Sequence, residues 1–538
     1  MKQELLPIQI IAGKLGLPEK YLQQIGPHGG KIELGLLEDP DFAPRGKMVL
    51  VTATSPTVSG EGKTVTAIGL TQGLERIGKR VVITSREPSL GPVFGMKGGA
   101  SGGGKAQIEP AAKINLHFHG DFHAITSAHN LLSALIDTHL YFGNALDLDP
   151  AQITWPRALD MNDRALRRII VSAEGKREGA DRATGFVITA ASEIMAIMAM
   201  SASLKDLRVR LERIIVGPTK AGKPVTAKDL NAVGGMMALL ADALLPNLVQ
   251  TTEGTPAMVH MGPFANIAHG TSSVISQQMA LRLVDYVINE AGFAADLGLE
   301  KYMDIVMPSS GIRPAAAVLV TTVQSMKNQG GGDLAAGFAN LGAHVRILRA
   351  FNLPVVVAIN RFPKDTDAEL NQLRGFCTEL GLPSAYSEAF GKGADGSVEL
   401  ANAVVKLIEA NPEPAVRTVY EFEDALSAKI EKVATDVYGA SAVSYSEEAQ
   451  LQLRRFNDWG FGGLPICIAK TQYSLSDDPK LLGAPTGWTL NVTNVSLSAG
   501  AGFLVVTAGN MMLMPGLPKV SRAEQIDVDD AGEIIGLS

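Results

Sequence analysis

Apolar residues follow two alternating rhythms along this chain, short unbroken runs and longer stretches spaced three and four apart. Met48-Val49-Leu50-Val51-Thr52-Ala53 has strand composition, and after a gap Ala67, Leu70, Leu74 and Ile77 recur at helical spacing until Gly78 stops them. Val81-Val82-Ile83 follows and completes a βαβ unit. Further on, 317–320 reads as a strand, Leu334, Phe338, Leu341, Val345 and Leu348 fall on one helix face, and 355–359 is a strand again. Alternation of this kind predicts an α/β fold with a parallel sheet, whose ligands collect beyond the carboxyl ends of the strands. Asn360, Arg361 and Phe362 stand at such an end.

Elsewhere the rhythm is less regular. Residues 1–47 read as helical at first and then loop-like, with Pro40 and Pro44 before the first strand. Helical segments are expected at 124–137, 163–171 and 204–215. The apolar stretch 188–200 is interrupted by Glu193 and is too short to span a bilayer. The last 75 or so residues are rich in Gly, Pro and Ser with short runs such as Phe503-Leu504-Val505-Val506, and predict a loop-rich sheet. The expected division is a discontinuous nucleotide-binding α/β domain of residues 1–125 plus about 226–342, a mainly helical α/β domain at about 126–225, and a C-terminal α/β domain at about 343–538.

Between the first strand and its helix lies Ser55-Pro56-Thr57-Val58-Ser59-Gly60-Glu61-Gly62-Lys63-Thr64. In a strand–loop–helix setting this is a phosphate cradle: backbone N–H groups and the helix N-terminus face the anion, Lys63 adds charge, and Thr64 can ligate magnesium. It departs from the usual pattern in having Thr57 at the first glycine position. Arg86, just past the next strand, emerges at the same sheet edge and is a candidate bidentate clamp for a carboxylate or a transferring phosphoryl group; a loop arginine paired to Glu87 or solvent is the plainer alternative. Residues 95–105 hold six glycines, Lys97 and Lys105, a composition suited to close approach of backbone to a ligand.

Bulk properties narrow the class. With 538 residues, 46% hydrophobic, the chain can bury large cores. A net charge of −7 without a long basic stretch argues against nucleic acid as a partner; Arg164, Arg167 and Arg168 read as a solvated helix face. Two cysteines, Cys377 and Cys467, make no disulfide framework and fit a reducing compartment; with no leader pattern and no membrane span read from the sequence, a cytoplasmic location is expected. His117, His119, Asp121 and His123 resemble a metal cluster, but if 114–118 is extended only His117 and His119 share a face, so Asp121 and His123 read better as polar site residues. His260, His269, Asp296 and Glu300 are read as core or capping residues. Phe362 and Phe390 are notable in a chain with only 5% aromatics, since two rings across a cleft can sandwich a flat heterocycle.

Taken together these segments resemble the formate–tetrahydrofolate ligase family over nearly the whole chain. The resemblance rests on the phosphate loop, Arg86-Glu87-Pro88-Ser89-Leu90-Gly91-Pro92, Gly120-Asp121-Phe122-His123, Asp160-Met161-Asn162-Asp163-Arg164, Gly262-Pro263-Phe264-Ala265-Asn266, Glu290-Ala291-Gly292-Phe293, Ala469-Lys470-Thr471-Gln472 and Met514-Pro515-Gly516-Leu517. It implies a P-loop NTPase-like core with additional α/β domains, and a ligase joining formate to tetrahydrofolate with ATP through formyl phosphate. It further implies Thr57, Val58, Ser59, Gly60, Glu61, Gly62, Lys63 and Thr64 at the nucleotide, Thr64 on its magnesium, and Arg86 on formyl phosphate. Glu87 and Asp121 would be site neighbours, and Phe362 and Phe390 the pterin-stacking pair. A monovalent cation (potassium or ammonium) and a homotetramer are also implied. Phe390 is a departure, since the family mostly has Trp there, and Val306-Met307-Pro308 replaces a cationic stretch. Competing readings are another P-loop ligase or ATPase, and a folate- or nucleotide-binding homologue that has lost activity.

Overall fold

The computed structural model describes residues 4–57, 60–96, 99–172, 181–509 and 511–537. Val58 and Ser59 of the phosphate loop, and Lys97 and Gly98 of the glycine-rich stretch, lie outside the described residues.

The architecture is mixed α/β around a large, mostly parallel sheet. In chain order its strands are β1 (Leu22–Ile25), β2 (Gly29–Ile32), β3 (Lys47–Ala53), β4 (Val81–Ser85), β5 (Ala106–Glu109), β6 (Asn247–Thr251), β7 (Pro256–Val259), β8 (Tyr286–Glu290), β9 (Pro314–Thr321), β10 (Val355–Asn360) and β11 (Ser384–Ser387). They lie in the order β1-β2-β6-β7-β4-β8-β3-β9-β10-β11, with β5 pairing to β6 off this path. Every neighbour pair from β7 to β11 is parallel, and the β1-β2-β6-β7 side is antiparallel.

Burial on both faces explains why these strands read as continuous apolar runs. Along β3, Met48 and Leu50 enter one hydrophobic core while Val49, Val51 and Ala53 enter the other, as alternating side chains must. The second core is closed by helix α1 (Lys63–Arg76), which follows the phosphate loop and buries Ala67, Ile68, Leu70 and Leu74. β3 and β4, the two strands joined through the loop and α1, are not neighbours, because β8 lies between them. The sheet continues past residue 342, and a separate sheet formed by Ala442–Tyr445, Thr489–Ser498, Phe503–Ala508 and Ile466–Ala469 covers the C-terminal part.

Three local expectations are corrected. Segment 163–171 is helical only in part: Arg164–Arg167 is a single turn of 3-10 helix, and Ile169–Val171 is a strand that pairs antiparallel with Arg182–Thr184. Its arginines Arg164, Arg167 and Arg168 are exposed, as expected, and Arg164 and Arg167 also donate to the carbonyls of Leu517 and Met514. The 204–215 helix stops at Glu212, and Ile215 opens a strand. The N-terminal loop is a hairpin, β1 paired to β2, joined to the sheet through Leu248↔Gly30 and Asn247↔Lys31. The segment near Glu193 is the buried helix Glu193–Met200. Among the described residues, no helix is long and apolar enough to cross a membrane.

Candidate active site

The carboxyl ends of β4, β8, β3, β9, β10 and β11 open on one edge, and the parallel register sets what meets there. The phosphate loop leaves β3 in the middle of this row. Gly62 adopts a left-handed backbone (φ 65°) at the start of α1, and a Cβ there would come within 2.3 Å of Asn360 Nδ2. The loop is pinned from within and without. Glu61 is buried; its carboxylate accepts from the Thr57 N–H (2.6 Å) and the Thr322 hydroxyl (2.8 Å), while its carbonyl accepts from Asn360 Nδ2 (3.0 Å). Thr64 stands on the first turn of α1, half-buried.

Lys63 reaches over the end of β8: its Nζ donates to the Phe293 carbonyl (2.7 Å) and lies 3.7 Å from Glu290. Arg86, leaving β4 from the other side, reaches the same place. Its Nη1 donates to the Pro263 carbonyl (3.0 Å), and the guanidinium lies so close over Gly292 that a Cβ there would sit 3.0 Å from Nη2. Burial lowers the proton affinity of Arg86, and the Glu290 charge offsets this. Two cations, Lys63 from the start of α1 and Arg86 from the end of β4, thus act on one carboxylate, Glu290, at the end of the strand between them. An arrangement of this kind favours an anion carrying more charge than the carboxylate it meets.

Beneath Arg86 lies a second buried group. Asp121 opens the helix Asp121–Tyr141, and its carboxylate accepts from Lys31 Nζ (2.9 Å) and Asn247 Nδ2 (2.7 Å). Both members of this ion pair are almost fully buried, and Lys31 also donates to the Leu245 carbonyl. Glu87 is buried beside them. Burial first, and the Asp121 charge second, push its carboxyl well above the usual range, with Lys31 opposing, so its neutral form is favoured. Its Oε2 has no hydrogen-bond partner among the described residues. Asp160 orients the segment by accepting from the Ser89 hydroxyl (2.6 Å) and the Leu90 N–H (2.9 Å); burial raises it to about 6.

On the opposite flank, Phe362 and Phe390 face the same cavity. They line one cleft of about 330 Å³ together with Gly62, Val65, Asn360 and Pro363, so the aromatic walls and the phosphate loop share a cavity. Gly69 and Gly73 on α1 make this possible. A Cβ on Gly69 would come within 2.2 Å of the Ala389 Cβ, and one on Gly73 within 2.8 Å of the Ser397 carbonyl, so only glycine lets the segment bearing Phe390 dock. The glycine-rich stretch backs the same ring: Lys105 N–H donates to the Phe390 carbonyl (2.9 Å), and a Cβ on Gly103 would lie 3.2 Å from the ring.

Other candidates are placed elsewhere. Segment 114–118 is not extended, since Ala111–Asn115 is helical; His117 and His123 are exposed, and His119 contacts Asn247 Oδ1 (2.7 Å). No group of three or more His, Cys, Asp or Glu side chains among the described residues is arranged to hold a metal. His260 is a satisfied core residue, bonded to Ser273 Oγ (2.6 Å) and the Ala243 carbonyl (2.8 Å) and pushed down to about 4 by burial. His269 is buried with neither ring nitrogen partnered among the described residues, and burial, then Arg86, push it to about 3. Asp296 pairs with Lys470 at 2.6 Å in the interior. Residue-by-residue reading missed Lys31 and Glu290; Asn360 was placed at the ligand edge of the sheet, without its contact to Glu61.

A family model described as formate–tetrahydrofolate ligase matches residues 1–538. Similar proteins bearing that name include one from Symbiobacterium thermophilum, 52% identical over 548 residues and covering 100% of this chain and 98% of its own. Another, from Methylorubrum populi, is 51% identical over 545 residues (99% and 98%), and one from Petrotoga mobilis is 48% identical over 546 residues (99% and 98%).

Proposed function

Since the chain belongs to the formate–tetrahydrofolate ligase family, we propose that it joins formate to tetrahydrofolate, converting ATP to ADP and phosphate, through a formyl phosphate intermediate. The observation that carries this reading is the convergence of Lys63 and Arg86 over Glu290, one strand from the phosphate loop, with the Phe362–Phe390 cleft on the loop's other side. The core acts as a P-loop NTPase-like sheet. Residues 1–125 with about 226–342 serve the nucleotide, about 126–225 flank it, and about 343–538 add the folate contacts.

In the first step a formate oxygen attacks the γ-phosphorus and the β,γ-bridging oxygen leaves on ADP. Formate is a weak nucleophile repelled by the triphosphate, so the protein's task is positioning and charge neutralisation. Thr57, Gly60, Glu61 and Gly62 frame the triphosphate, along with Val58 and Ser59. Lys63 turns from Glu290 to the transferring phosphoryl group, and Arg86 offers its remaining N–H groups to formate and then to formyl phosphate. The Thr64 hydroxyl and the Glu290 carboxylate are hard oxygen donors and would hold the magnesium that accompanies the nucleotide, whose charge would shield the phosphate oxygens. In the second step N10 of the folate attacks the formyl carbon, phosphate leaves and the amine loses its proton. The pterin stacks between Phe362 and Phe390. A neutral Glu87 can donate a hydrogen bond to the intermediate without repelling it; burial, helped by the Asp121 charge, keeps it neutral.

A monovalent cation and a homotetramer belong to this reading as well, as does a cytoplasmic location; no residue is assigned to the cation and no step runs through it. The deciding experiment is turnover of ATP, formate and tetrahydrofolate, read as acid-formed methenyl-tetrahydrofolate, for the wild type and Arg86→Ala. A wild type that makes no product refutes the function, and an Arg86→Ala enzyme with normal turnover refutes the role of Arg86.

A further inference from the structure

The cleft shared by Phe362 and Phe390 holds a charged pair besides its rings. Among the described residues that line it, Glu388 alone carries a carboxylate, and Lys392, four residues on, lines it as well. Their side chains are bonded, Lys392 Nζ donating to Glu388 Oε2 at 2.7 Å. The main-chain groups of Glu388 are spent elsewhere, its N–H on the Gly396 carbonyl (2.9 Å) and its carbonyl on the Lys392 N–H (3.0 Å), so what it offers the cleft is the carboxylate. Arg361, the other cation lining the cleft, is turned to Asp367 (3.1 Å). Both paired side chains keep open surface, 58% for Lys392 and 30% for Glu388, so a ligand entering the cleft can meet them.

From one end to the other, the pair presents two acceptor oxygens and then a donor nitrogen. The pyrimidine edge of a reduced pterin carries the opposite row: its 2-amino group and N3–H donate, and O4 accepts. A carboxylate takes two parallel N–H bonds from such an edge as it does from a guanidinium fork. The ammonium beside it has three N–H groups, one for the carboxylate and one for O4. An adenine has no such row, since its edge sets one amino donor beside ring acceptors.

We propose that Glu388 and Lys392 are the specificity residues of this cleft, the carboxylate selecting the 2-amino group and N3–H of a pterin and the ammonium selecting its 4-oxo group. This rests on the proposed seat of the pterin between the two rings. It adds direction to that seat, because stacking sets the plane of a ring and not which edge points inward.

The test is calorimetric titration with three quinazoline analogues of folate that share one tail and carry 2-amino-4-oxo, 2-methyl-4-oxo or 2-amino-4-thioxo groups. The wild type is expected to bind the first at least about tenfold more tightly than the 2-methyl compound, the scale of one hydrogen bond to a charged group. It should prefer oxo over thioxo about fivefold, since sulfur is the weaker acceptor. Glu388→Ala should bind the 2-amino compounds at least about tenfold more weakly and treat 2-amino and 2-methyl alike. Lys392→Met should lose the oxo preference and keep the 2-amino preference. Affinity for a non-hydrolysable ATP analogue, unchanged within about twofold, would show that both variants fold. A Glu388→Ala protein that keeps the wild-type preference for 2-amino, or a wild type that has none, would overturn the proposal. Should Phe362→Ala and Phe390→Ala also bind the 2-amino-4-oxo compound as the wild type does, the pterin reading of the cleft falls with it; should they weaken it while Glu388→Ala does not, only the proposal falls.

Discussion

Truncating the two rings of the aromatic cleft gives the sharpest test of where the pterin lies. Phe390 is 63% and Phe362 39% exposed, so each has uncovered area for a flat ligand to occupy. Taking about 200 Å² for a whole phenylalanine, the free area is about 130 Å² on Phe390 and about 80 Å² on Phe362. A stacked pterin covering half of each, at about 25 cal/mol per Å², gains about 1.6 and about 1.0 kcal/mol. Phe390→Ala should therefore raise the tetrahydrofolate Kd about 15-fold and Phe362→Ala about fivefold. Phe390→Trp, offering a larger ring, should lower it. Nucleotide-analogue affinity should hardly move, because the loop is pinned by Glu61, Thr322 and Asn360 rather than by either ring. Calorimetric titration of each variant measures all of this. If both alanine variants bind tetrahydrofolate within twofold of the wild type, the cleft is not the pterin site.

Four further outcomes follow from the same geometry. Arg86→Ala should lower turnover at least 100-fold, the loss typical of one donor aimed at developing charge, with tetrahydrofolate affinity unchanged; a drop below tenfold refutes the clamp. Lys31→Met strands the buried Asp121 carboxylate and should cost about 3–5 kcal/mol of stability, and a denaturation shift worth less than 1 kcal/mol counts against that pairing. Burial raises the Glu193 carboxyl from 4.5 to about 7, although it accepts from the Gly500 N–H. Because its folded value is the higher one, its stabilising contribution is complete below pH 4.5 and is lost as pH rises to about 7, some 3 kcal/mol in all. Glu193→Gln should flatten that slope in unfolding midpoints, and equal slopes in both proteins would refute it. Gly69→Val forces the Ala389 segment outward and should weaken tetrahydrofolate binding more than nucleotide binding, which paired titrations would check.

The chain announces some of its site and conceals the rest for a physical reason. The segment proposed to hold the phosphates is contiguous: its glycines, lysine and threonine lie within ten residues between a strand and a helix, so it can be proposed without tertiary knowledge. That Arg86 and Phe362 lie at one edge of the sheet was legible because the carboxyl ends of parallel strands share an edge. Glu290 was not, because its importance depends on β8 being inserted between β4 and β3, and strand order is fixed by how the whole sheet packs. Lys31 was hidden for the opposite reason: Gly29-Gly30-Lys31 reads as loop, and only pairing with β6 buries its ammonium against Asp121. The misread helix at 163–171 has the same origin, since its arginines serve carbonyls about 350 residues away.

The inserted strand also shapes the chemistry. Without β8, Lys63 and Arg86 would leave adjacent strands about 5 Å apart and repel each other. With it, they leave strands about 10 Å apart, and the Glu290 carboxylate acts on both cations; in the proposed mechanism a more highly charged ligand displaces it. Replacing Glu290 with Gln should therefore raise affinity for inorganic phosphate in the absence of nucleotide, because the resident anion is gone while both cations remain. Weaker phosphate binding in that variant would mean that Glu290 organises Lys63 and Arg86 rather than competing for them.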